Sequence, residues 1–400
     1  MFQAILTAAR DKRIRAVAIA LVLLGFTYAA TIPYQSIIAT EQLGMSTRQF
    51  GLLIFLVGLF GTLGGLALGY LSDISRNRKT SVLWCLAAGA IGFGLFALWP
   101  ATPTFLICML LVYPFSGSAY ALLFGTVRSV ANEVDVTQAA SINSAVRSFY
   151  AISWIVVPAL VGLFIAATAR PSDSFAIAAL AFVLCLLFYW RFGPSIAGTS
   201  ASAGSAAANL REALGLVVQG GRLTRLAALA LVNSVHPLIA AAFPLILTQQ
   251  LHGSTAQLGV FAGLVAALEI PIMLGVGAAV RRFPLWQVIV SGGVIHAVFL
   301  LSLTLINSTG PLYFLALLNA AGNAVLLTQH LTYAQDLLPD RPGLGSSLLS
   351  VTNLISRAAA ALLFAAIGGA YGIQGALWAG AAVCTFGCFG IAALARRARA

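Results

Sequence analysis

Apolar runs of about 20 residues, the length a helix needs to cross a bilayer, recur twelve times along this chain. Six occupy roughly 16–40, 48–72, 80–100, 104–128, 139–168 and 173–193. Six more fall at roughly 223–250, 255–280, 285–307, 311–333, 343–370 and 373–395. Between the sets, 194–222 carries Ser195, Gly198, Ser200, Ser202, Gly204 and Ser205. It ends in Leu210, Arg211, Glu212, Leu214 and Leu216, a pattern suited to a short interfacial helix. The predicted architecture is an all-α integral membrane protein with twelve transmembrane helices. One six-helix bundle covers 1–193, a linker 194–222, and a second six-helix bundle 223–400. The first apolar run is too long for a signal peptide, and eleven more follow it.

Composition excludes a soluble protein. Hydrophobic residues make up 60% of the chain and charged residues 8%, against about 45–50% and about 25% in soluble domains. The net charge of +12 would suggest nucleic acid in a soluble chain, but the basic residues are sorted by topology. With the N-terminus inside, 18 of the 22 fall on the cytoplasmic side. Arg48 and Arg170 fall outside, and Arg147 and Arg357 lie within helices. So steep a bias orients a protein in its membrane and points to no nucleic-acid partner. It also sets the expected location, a bacterial inner membrane with both termini cytoplasmic. The five cysteines lie inside apolar stretches with no CxxC pair, and the four histidines are scattered, so neither a metal nor a cofactor is expected. No GxxxxGK[ST], HExxH or intramembrane serine–histidine pair is readable, so the chain is expected to be no enzyme.

One feature ties the halves together and a second marks the first half alone, since the matching loop of the second half has Arg281 and Arg282 but no acid. Asn143 and Arg147 in helix 5 match Asn353 and Arg357 in helix 11 at a constant offset of 210, each pair on one helix face. The loop after helix 2 reads Gly69, Tyr70, Leu71, Ser72, Asp73, Ile74, Ser75, Arg76, Asn77, Arg78, Lys79. Six plus six helices around a polar loop, with a glycine and an acid before a basic cluster, resemble the major facilitator superfamily. That resemblance implies two pseudo-symmetric bundles and a conformational role for Gly69, Asp73, Arg76, Arg78 and Lys79, with Asp73 set against a helix N-terminus or an arginine.

Within that superfamily, three segments are similar to the bacterial sugar efflux transporter family. They are Ala267-Leu268-Glu269-Ile270-Pro271, the run Tyr333, Gln335, Asp336, Leu337, Pro339, Gly343, Thr352, Asn353, and helix 5 with Arg147, Ser153, Trp154, Pro158. The resemblance implies secondary export of small hydroxylated solutes, with protons as the driving partner. A multidrug or siderophore transporter of the same fold is the alternative. The proline and glycine pattern of drug–proton antiporters survives only as Pro158 and Gly162.

Charged groups inside helices need a reason, since each costs at least about 2.5–3.5 kcal/mol at mid-bilayer. Glu269 is either half of an ion pair with Arg147 or Arg357, or a proton-coupling site, with His236 a candidate relay. The resemblance places the substrate cavity among helices 1, 4, 7 and 10. Tyr28, Tyr34, Gln35, Tyr113, Ser116, Tyr120, Asn233, Asn319, Asn323 and Gln329 are its candidate lining. Amides, hydroxyls and aromatic rings suit a polyhydroxylated ligand. The expected partners are a small-molecule substrate, protons and membrane lipid, with the protein a monomer.

Overall fold

The computed structural model describes residues 9–74, 77–136, 138–196, 221–337 and 342–397, with Thr7 and Gly215. Most of the 194–222 linker, Arg76, and the side chains of Gly69 and Asp73 lie outside the described residues. In chain order the helices are α1 (Lys12–Gln42), α2 (Thr47–Ile74), α3 (Arg78–Leu98), α4 (Thr102–Val134), α5 (Ala139–Thr168) and α6 (Asp173–Phe192). The second set is α7 (Arg222–Gln250), α8 (Thr255–Ala279), α9 (Leu285–Leu305), α10 (Leu312–Asp336), α11 (Pro342–Leu362) and α12 (Gly368–Arg397). By length and composition eleven spans can cross a membrane, the last running over Leu348–Arg397. That last span is two helices. Gly372 takes φ 76°, which glycine adopts at little cost, and turns the chain back. The expected twelve helices are therefore present.

Local chemistry sets the helix starts. Asp11 accepts from the Arg13 and Ile14 amides at 2.8 and 3.1 Å to cap α1. Ser254 and Gln257 form a reciprocal box at the start of α8. Prolines set the irregularities. Pro237 lacks the N–H that would meet the Asn233 carbonyl, and α7 breaks there, between Asn233 and Val235. Pro33 sits in a 3-10 turn in α1. Both α1 and α7 end in a π-turn, Ile38–Gln42 and Ile246–Gln250, offset by 208 residues.

Packing repeats with the same period. α1 packs on α5 and α6, as α7 packs on α11 and α12; α3 packs on α4 and α6, as α9 packs on α10 and α12. The halves meet through α5 against α8, the most extensive helix contact in the molecule, and through its counterpart, α11 against α2. Large apolar side chains such as Leu98, Phe314, Phe386 and Trp378 are exposed on the outside; lipid, not water, is the solvent they suit.

The α5–α8 contact is closest over the halves of the helices remote from the chain termini. A Cβ at Gly259 would run into the Pro158 carbonyl, one at Gly263 into that of Ile155, and one at Gly162 into that of Thr255. Small residues let the backbones approach. Tyr34 Oη donates to Pro158 O at 2.6 Å and Thr255 Oγ1 to Gly162 O at 3.2 Å. All these residues lie in the halves of the helices remote from the chain termini. Near the other end of α8, Gly275 and Gly277 have nothing within 4 Å of a built Cβ. The molecule is closed at the end remote from the termini and parted at the end that bears them.

Candidate functional site

Between the halves lie two adjoining cavities of about 360 Å³ each, at the small end of ordinary ligand pockets (about 300–1,000 Å³). Val57, Tyr113, Asn353 and Arg357 line both. The inner cavity reaches toward the closed end, past Gln35, Asn233, His236 and His330. The outer one runs toward the termini, past Thr62, Ser118 and Ser350. The walls differ in character. The first half contributes mainly apolar side chains, such as Ile32, Phe50, Leu53 and Met109, with Gln35 and Tyr113. The second contributes most of the polar ones, Asn233, His236, His330, Asn353, Ser356 and Arg357, among Pro237, Ala240, Ala241, Leu326 and Leu327.

The break in α7 brings Asn233 and His236 to the cavity, a use of discontinuous helices common to transporters. Arg357 crosses to the other half. Its stem lies over Gly58 of α2, where a Cβ would come within 2.5 Å of Arg357 Cδ.

Of the expected lining residues, Gln35, Tyr113 and Asn233 line a cavity; the others line neither. The Tyr28 hydroxyl faces Ser116 Oγ at 3.5 Å, and its ring stands edge-on to Tyr113, joining α1 to α4. The Tyr34 hydroxyl is held by the α5 backbone. Tyr120 packs on Phe124 and Tyr150. Gln329 is buried and donates to Thr328 Oγ1 at 3.0 Å. Asn319 and Asn323 share a face of α10, but that face meets α9 and α8 rather than open space. Helix number does not fix which side chains face the cavity; the rotation of each helix about its axis does.

Glu269 bonds neither arginine. Asn323 donates from Nδ2 to Glu269 Oε1 at 2.7 Å, and its Oδ1 lies 3.1 Å from His296 Nε2. The only ion pairs among the described residues join Arg13 to Asp11 and Glu133. Arg147 is exposed, its guanidinium 5.3 Å from the Phe124 ring centroid, a cation–π contact. The ion-pair reading thus gives way: α5 and α8 part toward the end where Arg147 sits, and an amide meets the carboxylate instead.

His296 was not singled out from the sequence. It is fully buried in α9, and its ring stands edge-on to His236 with centroids 5.1 Å apart. The histidines look scattered along the chain, yet folding gathers three of the four. His330 and His236 line the inner cavity, and His296 lies behind His236. A line of polar groups therefore runs from the cavity through His236, His296 and Asn323 to Glu269. Their rarity in an apolar chain was the available signal.

In the loop after α2, Lys79 Nζ donates to Gly193 O at 2.8 Å, just past the end of α6, and Arg78 Nη1 donates to Ser129 Oγ at 3.3 Å. A cation at a helix C-terminus meets its unsatisfied carbonyls.

The sequence matches the Major Facilitator Superfamily over residues 17–311. It is 28% identical over 341 residues to sugar efflux transporter A of Dickeya chrysanthemi, covering 83% of each chain. It is 26% identical over 323 residues to sugar efflux transporter A of Escherichia coli K12, covering 78% of this chain and 79% of that one. In three dimensions it is similar to the nucleoside transporter NupG, with a TM-score of 0.80 over 96% of this chain and 98% of that one at 12% identity. The chain belongs to the major facilitator superfamily, as a multi-pass membrane protein similar to bacterial sugar efflux transporters.

Proposed function

We propose that this protein is a secondary exporter of sugars, glycosides or similar small hydroxylated solutes, working by alternating access with proton antiport. The observation that carries the reading is the cavity at the seam of the two halves, closed at one end, where amide, imidazole, hydroxyl and guanidinium groups stand among apolar side chains. A pyranose ring presents C–H groups on its faces and hydroxyls around its rim, so it suits a site that offers both apolar surface and hydrogen-bonding groups. The relatives named sugar efflux transporters support the same class. The basic-residue bias supports a cytoplasmic location for the termini, so the described state faces inward, ready to load.

Antiport requires that proton and solute disfavour each other's binding, and linkage makes the effect reciprocal. The line from His236 to Glu269 supplies a route. With Glu269 ionised, Asn323 must present its N–H to the carboxylate and its oxygen to His296, so His296 carries its proton on Nε2. A protonated Glu269 becomes a donor, and the amide can turn over. His296 must then change tautomer, and His236 beside it feels the change at the cavity wall. The route needs no ion pair.

The test is efflux from vesicles. Vesicles containing the protein, loaded with glucose or a methyl glucoside, should release it faster under an inward proton gradient than without one. Gradient-independent release identical to that from empty vesicles would overturn the reading.

A further inference from the structure

Arg357 is unusual among the charged groups of this fold. It stands where the two cavities join, and it makes no ion pair among the described residues. Among the described residues, no aspartate or glutamate lines either cavity. The intramembrane carboxylate, Glu269, is engaged by Asn323 outside them. A cation held in a membrane-spanning cavity is stabilised by water or by a counter-charge, and no described residue of the protein supplies that counter-charge.

The neighbouring groups point the same way. Gln35 Nε2, Asn233 Nδ2, His236 Nε2 and His330 Nε2 are buried nitrogens on the inner-cavity wall, and none has a hydrogen-bond partner. Buried polar groups are ordinarily satisfied, so four unpartnered nitrogens on residues that line one cavity are groups a ligand rich in acceptors could engage once those side chains turn toward it. The amides can turn over, and a neutral imidazole can offer a lone pair instead. The guanidinium has only donors and stays charged. Tyr113 lines both cavities beside it, an aromatic surface for a ring.

We propose that the preferred solute is an acidic sugar, a hydroxylated ring bearing a carboxylate or phosphate, whose anionic group docks on Arg357 while the ring occupies the inner cavity. This rests on the hydroxylated-solute reading above and narrows it. A planar guanidinium fork matches either oxyanion with two parallel hydrogen bonds. Its seat on Gly58 spans the two halves, so an anion bound there touches the contact that alternating access must break.

The test is calorimetric titration of the purified full-length protein with glucose, glucuronate and glucose 6-phosphate, in wild type, Arg357→Gln and Arg357→Lys. The expected result is that at least one acid binds wild type about tenfold or more tighter than glucose, as a charge-assisted pair should. Arg357→Gln should erase that preference, weakening acid binding about tenfold or more beyond any loss for glucose, and Arg357→Lys should keep part of it. Whichever acid is preferred identifies the carboxylate or the phosphate as the anionic group. Equal binding of glucose and both acids to wild type, or a preference that survives in Arg357→Gln, overturns the inference and leaves the sugar reading standing. If none of the three binds while a lipophilic drug does, both fall. Should Arg357→Gln fail to fold, the wild-type preference and its loss or retention in Arg357→Lys still decide.

Discussion

Asn323 holds Glu269 and His296 at once, 2.7 Å from the carboxylate oxygen and 3.1 Å from the imidazole nitrogen, and so links α8, α9 and α10 through one amide. Asn323→Ala would leave two buried polar groups without partners. Leaving such a group unsatisfied costs about 1–3 kcal/mol. The expected outcome is a lower melting temperature in detergent, together with loss of proton-driven efflux. Asn323→Asp, which sets a second carboxylate beside Glu269, should impair transport more than Asn323→Gln.

Cavity contact separates the asparagines by effect. Asn233 lines the inner cavity, while Asn319 is buried against α9 away from it. Asn233→Ala should weaken ligand binding by about 1–3 kcal/mol if its amide meets the solute, with little change in melting temperature. Asn319→Ala should do the reverse, lowering stability and sparing affinity. Titration and thermal unfolding of the same samples check both arms.

At the closed end, Glu41 of α1 accepts from Thr248 Oγ1 at 2.6 Å and Gln249 Nε2 at 3.2 Å of α7, joining the two halves across the rim. A net hydrogen bond contributes about 0.5–1.5 kcal/mol. Glu41→Ala should therefore shift the balance several-fold toward the state open at this end. Spin labels on the rims of α1 and α7 would report it as a larger population at long distance. An unchanged distance distribution would show that the backbone contacts alone hold the rim shut.

Those backbone contacts are the α5–α8 glycines. Gly263→Val would force the helix off the Ile155 carbonyl, and overpacking of this kind costs about 1–3 kcal/mol. The closed end should fail to seal, giving solute leak without dependence on the proton gradient. Gly275→Val, at an open position of the same helix, should transport normally.

The helix count was legible because hydrophobic length is a property of sequence alone, and lipid imposes it span by span. The repeat was legible too: the offset of 210 between Asn143/Arg147 and Asn353/Arg357 lies close to the 208 between the π-turns of α1 and α7. Rotation about each helix axis was not legible. It decides that Asn353 and Arg357 line the cavities while Arg147 rests on Phe124, although the two pairs correspond along the chain. Rotation is set by the partners packed around a helix, such as Gly58 beneath the Arg357 stem. The involvement of α2 and α11 in the cavity and the role of His296 were hidden for the same reason. Glu269 was legible as a residue with a cost to explain, but its partner was not, because an amide across a helix pair leaves no spacing signal.

The most direct test of the account follows proton movement with a pH-sensitive dye in vesicles carrying the protein, while glucose or glucuronate moves down its gradient. The account predicts that solute flow in wild type drives protons the opposite way. It predicts that Glu269→Gln abolishes this flux while preserving solute binding and solute–solute exchange, and that solute affinity, rising as pH rises in wild type, becomes independent of pH in the variant. A Glu269→Gln protein that still moves protons against solute would contradict the coupling role of Glu269. Wild-type solute flow with no proton movement at all would contradict antiport itself.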